Sequence, residues 1–118
     1  MAMIEPNPAL GGNLPPLVGP KISLLQSDND GSTATFVILQ EDHTLGNPLR
    51  HIILKNPAVE FCAYTVPHPS EAKIHIRIQT DGSRTATQAL DKGLNDLIAV
   101  TEHIQQLFRQ KAQPSYEP

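Results

Sequence analysis

Five histidines, His43, His51, His68, His75 and His103, are the first residues to test for chemistry. No two stand four apart on a helical stretch and the only cysteine, Cys62, adjoins none of them, so a metal centre would need ligands gathered from distant parts of the chain. Asp42-His43 with a hydroxyl such as Ser70 can be written as a hydrolytic constellation, and Glu71 with His68 and His75 as an acid–base cluster. Neither has a nucleophile-elbow glycine pattern beside it. Gly46, within Thr44-Leu45-Gly46-Asn47, precedes a helical segment and would offer backbone N–H groups to an anion, but one glycine is not a phosphate cradle. Lys73, His75 and Arg77 alternate along a strand and make a basic stripe, which fits a solvated face, an acidic partner or a phosphate. Aromatic residues are 4% of the chain with no Trp, so there is little surface on which bases could stack. Turn, cap and solvated-face roles account for these residues, and no catalytic group, metal or cofactor is expected.

The elements that carry them fit into one domain. The chain has 118 residues, and 9 Lys+Arg against 12 Asp+Glu give a net charge of −3. That balance argues against a free-standing binder of nucleic-acid backbone or of an acidic membrane. A single cysteine excludes an intramolecular disulfide and suits a reducing compartment. The first basic residue is Lys21 and no apolar run approaches the ~20 residues of a membrane span, so a soluble intracellular chain is expected.

Residues 1–20 hold five of the eleven prolines and three of the seven glycines, which predicts a flexible tail; a second short tail is expected over 114–118, leaving 21–113 as the folded unit. KISLLQS, the turn residues Asp28 to Ser32, and Thr33 to Glu41 read as a hairpin whose second strand, with Phe36-Val37-Ile38-Leu39, is apolar on both faces and so central or touched by a partner. Leu45, Leu49, Ile52 and Ile53 recur at helical spacing until Lys55-Asn56-Pro57. Asn47 is the expected cap of this helix, with Pro48 as its first residue, because Thr44 as cap would put Pro48 where its missing N–H disturbs a helical bond. Val59 to Val66 and Ala72 to Thr80 make a second pair of strands, the latter with Ile74, Ile76 and Ile78 on one side. Thr85 and Gln88 form a capping box that opens a long helix. The expected fold is α+β: a two-layer β-β-α-β-β-α domain, a four-stranded antiparallel sheet with both helices on one face.

The last helix outruns that sheet. From Ala86 to Ala112 it would be roughly 40 Å long, whereas strands of this length span about 23–30 Å. Leu90, Leu94, Leu97, Thr101, Ile104 and Phe108 nonetheless step by three and four along it, with Ile98 and Leu107 widening the stripe. Left in water, the distal side chains would forgo roughly 1.5–3 kcal/mol each. Either the helix bends or ends early, with Gly93 as the weak point, or a second chain covers it; the length of the stripe favours an interface, helix against helix.

Glu41-Asp42-His43-Thr44-Leu45-Gly46-Asn47-Pro48-Leu49-Arg50 resembles the alpha motif of RNA polymerase assembly subunits, approximately HTLGNxLR in bacterial alpha and its archaeal and eukaryotic relatives. The likeness runs through Lys55-Asn56-Pro57-Ala58-Val59-Glu60-Phe61-Cys62 and Pro67-His68-Pro69-Ser70-Glu71 to Arg77-Ile78-Gln79-Thr80, covering about residues 21 to 112. Glu60-Phe61-Cys62 brings it nearer the small alpha-like subunit shared by RNA polymerases I and III than its polymerase II counterpart. The resemblance implies the same fold and a non-catalytic role: pairing with a larger alpha-like subunit to form a platform for the largest and second-largest polymerase subunits. It also implies work in the nucleus, nucleolus included, in making ribosomal, transfer and 5S RNA, with no membrane and no sequence-specific nucleic-acid binding of its own. Thr44, Leu45, Gly46, Asn47, Leu49 and Arg50 match the motif, and Arg50 is implied to make polar contacts to another chain. The implied dimer interface comprises Leu45, Leu49, Ile52, Ile53, Leu94, Leu97, Ile98, Thr101, Ile104, Leu107 and Phe108. Pro48 and Ala63 depart from the family, standing where a helix-compatible small or aliphatic residue and a glycine are usual. A polymerase II counterpart and a stand-alone ligand-binding α+β domain are the rival readings.

Overall fold

A computed structural model describes residues 16, 17 and 19–116, the last four as backbone only. Most of the expected N-terminal tail, residues 1–15 and 18, and residues 117–118 lie outside the described residues. The elements are β1 (Ile22–Ser27), β2 (Thr33–Leu39), α1 (His43–Ile53), β3 (Val59–Thr65), β4 (Lys73–Thr80) and α2 (Ala86–Tyr116). They match the expected order.

All strand pairings are antiparallel and the sheet order is β1-β2-β4-β3, so both central strands come from different hairpins. The β1–β2 turn forms because Asp28 accepts hydrogen bonds from the Thr33 N–H and the Ser32 hydroxyl, Asp30 accepts from the Ser32 N–H, and Gly31 takes a φ of 78° that a side chain would resist. Strict alternation in β2 and β4 puts Ala34, Phe36 and Ile38 beside Ile74, Ile76 and Ile78 on one face, all buried. Leu49 and Ile53 of α1 and Ala86, Ala89 and Leu90 of α2 close the core over that face. The opposite face carries half-buried Val37, Leu39, Lys73 and His75 and exposed Arg77.

The capping box at the start of α2 is present as a reciprocal pair: the Thr85 N–H donates to Gln88 Oε1 at 3.0 Å and the Gln88 N–H to Thr85 Oγ1 at 3.1 Å. At its other end the backbone stays helical to Tyr116, past the expected stop near Ala112 and through Pro114, where a tail was expected. The φ that proline fixes is itself helical, and in a final turn the ring forfeits only one hydrogen bond. At 31 residues α2 is about 46 Å long, against about 27 Å for β4.

Candidate functional site

The helix start at α1 corrects the sequence expectation. Asp42, not Asn47, is the N-cap: its side chain accepts from the Thr44 N–H at 2.8 Å, while its carbonyl accepts from the Leu45 and Gly46 N–H groups. Hydrogen bonding from Thr44 holds the Asp42 carboxyl below the usual carboxylate range. Pro48 therefore sits inside the helix, leaving the Thr44 carbonyl without its helical donor. Thr44 and Pro48 are both exposed, so water can satisfy that carbonyl, and the buried Leu49 and Ile53 one turn on hold the helix in place.

Two glycines set how closely the layers approach. A Cβ on Gly46 would come within 2.7 Å of the Tyr64 ring, so Gly46 is where α1 lies down on β3; it is buried and offers no anion cradle. A Cβ on Gly93 would collide with the Ile53 side chain. Gly93 is thus the contact point of α2 with α1 rather than a break, and α2 passes through it unbroken.

That crossing divides the expected interface residues in two. Leu49 and Ile53, at 0% and 1% exposed, belong to the chain's own core and have no surface to give a second chain, which corrects their assignment to the interface. Leu45, Ile52, Leu94 and Leu97 are half-buried at the margin of the core. Beyond Leu97 none of the described residues covers the distal part of α2: every residue from Ile98 to Lys111 is exposed. Ile104 is 60% and Phe108 66% exposed, with Ile98, Leu107 and exposed Thr101 beside them. The Thr101 hydroxyl donates to the Leu97 carbonyl at 2.9 Å, which consumes its polar atom and lets it sit in an apolar stripe.

Sequence reasoning missed Val100, which is exposed three residues after Leu97 and four before Ile104. Its spacing is helical, but the stripe that steps through Thr101 leaves it out. Val100 also faces Ile52 across a groove between the end of α1 and α2, rimmed by Lys55, Pro57 and the Lys92–Asp96 ion pair (2.9 Å). Ile98, Val100, Ile104, Leu107 and Phe108 are each roughly half exposed, which leaves about 4–8 kcal/mol of apolar burial unrealised.

The other candidate residues are occupied elsewhere. His43 Nδ1 lies 2.7 Å from the Tyr64 hydroxyl, with the rings edge to face, and no contact among the described residues joins Asp42 or His43 to Ser70. Glu71 pairs with Lys73 at 3.1 Å, which with a smaller influence from His68 holds its carboxyl below the usual range, and among the described residues no side-chain hydrogen bond or ion pair joins it to His68 or His75. Among the described residues no group of three His, Cys, Asp or Glu side chains could hold a metal ion. Cys62 is buried, and burial pushes its thiol up to about 11 against the opposing influence of the Arg50 charge. Arg50 itself is half-buried and forms no side-chain hydrogen bond among the described residues.

Comparison with known proteins fits this geometry. The profile of the RNA polymerase Rpb3/Rpb11 dimerisation domain matches residues 33–107. A Saccharomyces cerevisiae protein named DNA-directed RNA polymerases I and III subunit RPAC2 is 53% identical over 77% of this chain and 66% of its own length. Its namesake from Schizosaccharomyces pombe is 54% identical over 70% of this chain and 66% of its own, and that from Danio rerio 47% identical over 74% and 79%. The match thus spans just under two thirds of the two yeast relatives. In fold, the chain is similar to the crystal structure of DNA-directed RNA polymerase subunit L from Thermoplasma acidophilum, with a TM-score of 0.66 and 20% identity over 79% of this chain and 89% of that one. With its two-layer fold, its α1–α2 crossing and a profile match that covers most of the described residues, the chain belongs to the RNA polymerase Rpb3/Rpb11 dimerisation-domain family.

Proposed function

We propose that this chain is the small alpha-like assembly subunit of RNA polymerases I and III, and that it pairs with a larger alpha-like subunit through the distal half of α2 and the groove beside the end of α1. The observation that carries this reading is the overhang from Ile98 to Phe108: an apolar stripe that monomers seldom leave in water, on a helix the sheet is too short to cover. The family description supplies dimerisation, and the names of relatives about half identical to this chain favour polymerases I and III over polymerase II. In this role the chain does no chemistry. The heterodimer is the platform on which the largest and second-largest subunits assemble, in the nucleus and nucleolus, for synthesis of ribosomal, transfer and 5S RNA. Residues 21–113 form the pairing domain, with α2 continuing to Tyr116, while Arg50, half-buried with no side-chain hydrogen bond among the described residues, makes its polar contacts to another chain.

Co-expression with the larger alpha-like subunit, followed by mass measurement on the size-exclusion peak, tests the proposal. A 1:1 complex is expected. Two separate soluble species would overturn the assignment.

A further inference from the structure

The helices cover one face of the sheet and leave the other open. On the open face Arg77 lies at the centre of β4, with Thr35 of β2 opposite it on one side and Ala63 of β3 on the other. Both neighbours are small, so the arginine stem rises above its surroundings. Val37 pairs with His75 in the next row, and Phe61, which is 46% exposed, stands diagonal to Arg77 and within reach of it. Lys73, at the end of the stripe, is already neutralised by Glu71 at 3.1 Å. Arg77 is not: it is exposed and forms no hydrogen bond or ion pair among the described residues.

An unpaired arginine beside an exposed aromatic ring, with an apolar neighbour in the adjacent row, is the composition of an interface hot spot. Its sign opposes the net charge of −3, so it selects an acidic surface. One free guanidinium is too few for a nucleic-acid backbone, whose binders neutralise several phosphates. The face also lies on the far side of the sheet from the helices, so a chain seated here does not compete with one seated on α2.

We propose that the open sheet face, centred on Arg77 and Phe61, is a second docking surface that takes a carboxylate-bearing segment of a third protein chain. The proposal rests on the assembly-subunit reading and says where the next polymerase chain meets the heterodimer. The test uses tagged full-length chain expressed in cells, wild type against Arg77→Glu and Arg77→Lys. The larger alpha-like subunit and the remaining polymerase chains recovered with it are then quantified. With Arg77→Glu the alpha-like partner is recovered at wild-type level and the remaining chains fall at least tenfold; Arg77→Lys, which keeps charge without the fork, falls between. Crosslinks from this face should then map to an acidic segment, and replacing that segment's carboxylate by lysine should restore recovery with Arg77→Glu. Full recovery of every chain with Arg77→Glu overturns the proposal. So does unchanged assembly accompanied by lost RNA or DNA binding of the purified heterodimer, which would give the face to nucleic acid. Failure of the wild-type chain to recover the alpha-like partner would instead overturn the assembly reading beneath it.

Discussion

Replacing Phe108 by aspartate separates pairing from folding more cleanly than any other change. Phe108 is 66% exposed on a stretch of α2 where every residue from Ile98 to Lys111 is exposed, so the isolated chain should lose no more than about 0.5 kcal/mol, as at other surface positions. In the complex the same change removes about 2 kcal/mol of ring burial and places a carboxylate in an apolar seam at a cost of several kcal/mol. A combined loss of about 4 kcal/mol or more corresponds to roughly a thousandfold weaker Kd. Titration calorimetry with the purified larger subunit, beside thermal unfolding of each isolated variant, reads the two effects separately. Leu97→Asp is the instructive contrast, because Leu97 packs against the chain's own core and should lower Tm as well as affinity. A Phe108→Asp chain that binds within a few fold of wild type, or one whose Tm falls as far as that of Leu97→Asp, would refute the reasoning.

Gly93→Ala should cost about 1–3 kcal/mol by overpacking against Ile53, and Ile53→Ala, which removes the Cγ1 atom that the new methyl would strike, should make the double variant lose less than the sum of the two single changes, as denaturant unfolding can measure. Pro48→Ala restores the donor to the Thr44 carbonyl on an exposed helix face and should stabilise the chain by about 1–3 kcal/mol, raising Tm without changing partner affinity. Cys62, with its thiol raised to about 11, should react with a thiol reagent at pH 8 far more slowly in the native chain than in the unfolded one. Because its folded value lies above the unfolded one, near 9.0, the stability it contributes is complete below pH 9 and is lost between pH 9 and 11. Cys62→Ser should therefore flatten the fall in stability over that interval.

Element order, the two-layer arrangement and the α2 cap were legible because each rests on local rules: turn residues around Gly31, alternation in β4, and the reciprocal side chains of Thr85 and Gln88. The overhang was legible because it follows from counting, a helix of about 46 Å against a strand of about 27 Å. What local rules missed depended on tertiary contact. The penalty of Pro48 pointed to Asn47 as the cap, but the hydrogen bonds of Asp42 and the burial of Leu49 and Ile53 outweigh one lost bond. Helical spacing put Leu49 and Ile53 on an apolar face without telling which apolar neighbour that face meets. Gly46 and Gly93 looked like a possible anion loop and a possible break; only the positions of Tyr64 and Ile53 show that both are places where a Cβ has no room.

Amide hydrogen exchange across α2 tests the central claim most directly, since the helix beyond Leu97 has no tertiary cover among the described residues and a partner must provide it. Residues 98–108 should exchange quickly in the isolated protein and slow by at least tenfold when the larger alpha-like subunit is added, while the already buried segment from Ala86 to Leu90 changes little. Equal exchange over 98–108 with and without that subunit, in a complex shown to be 1:1, would contradict the account.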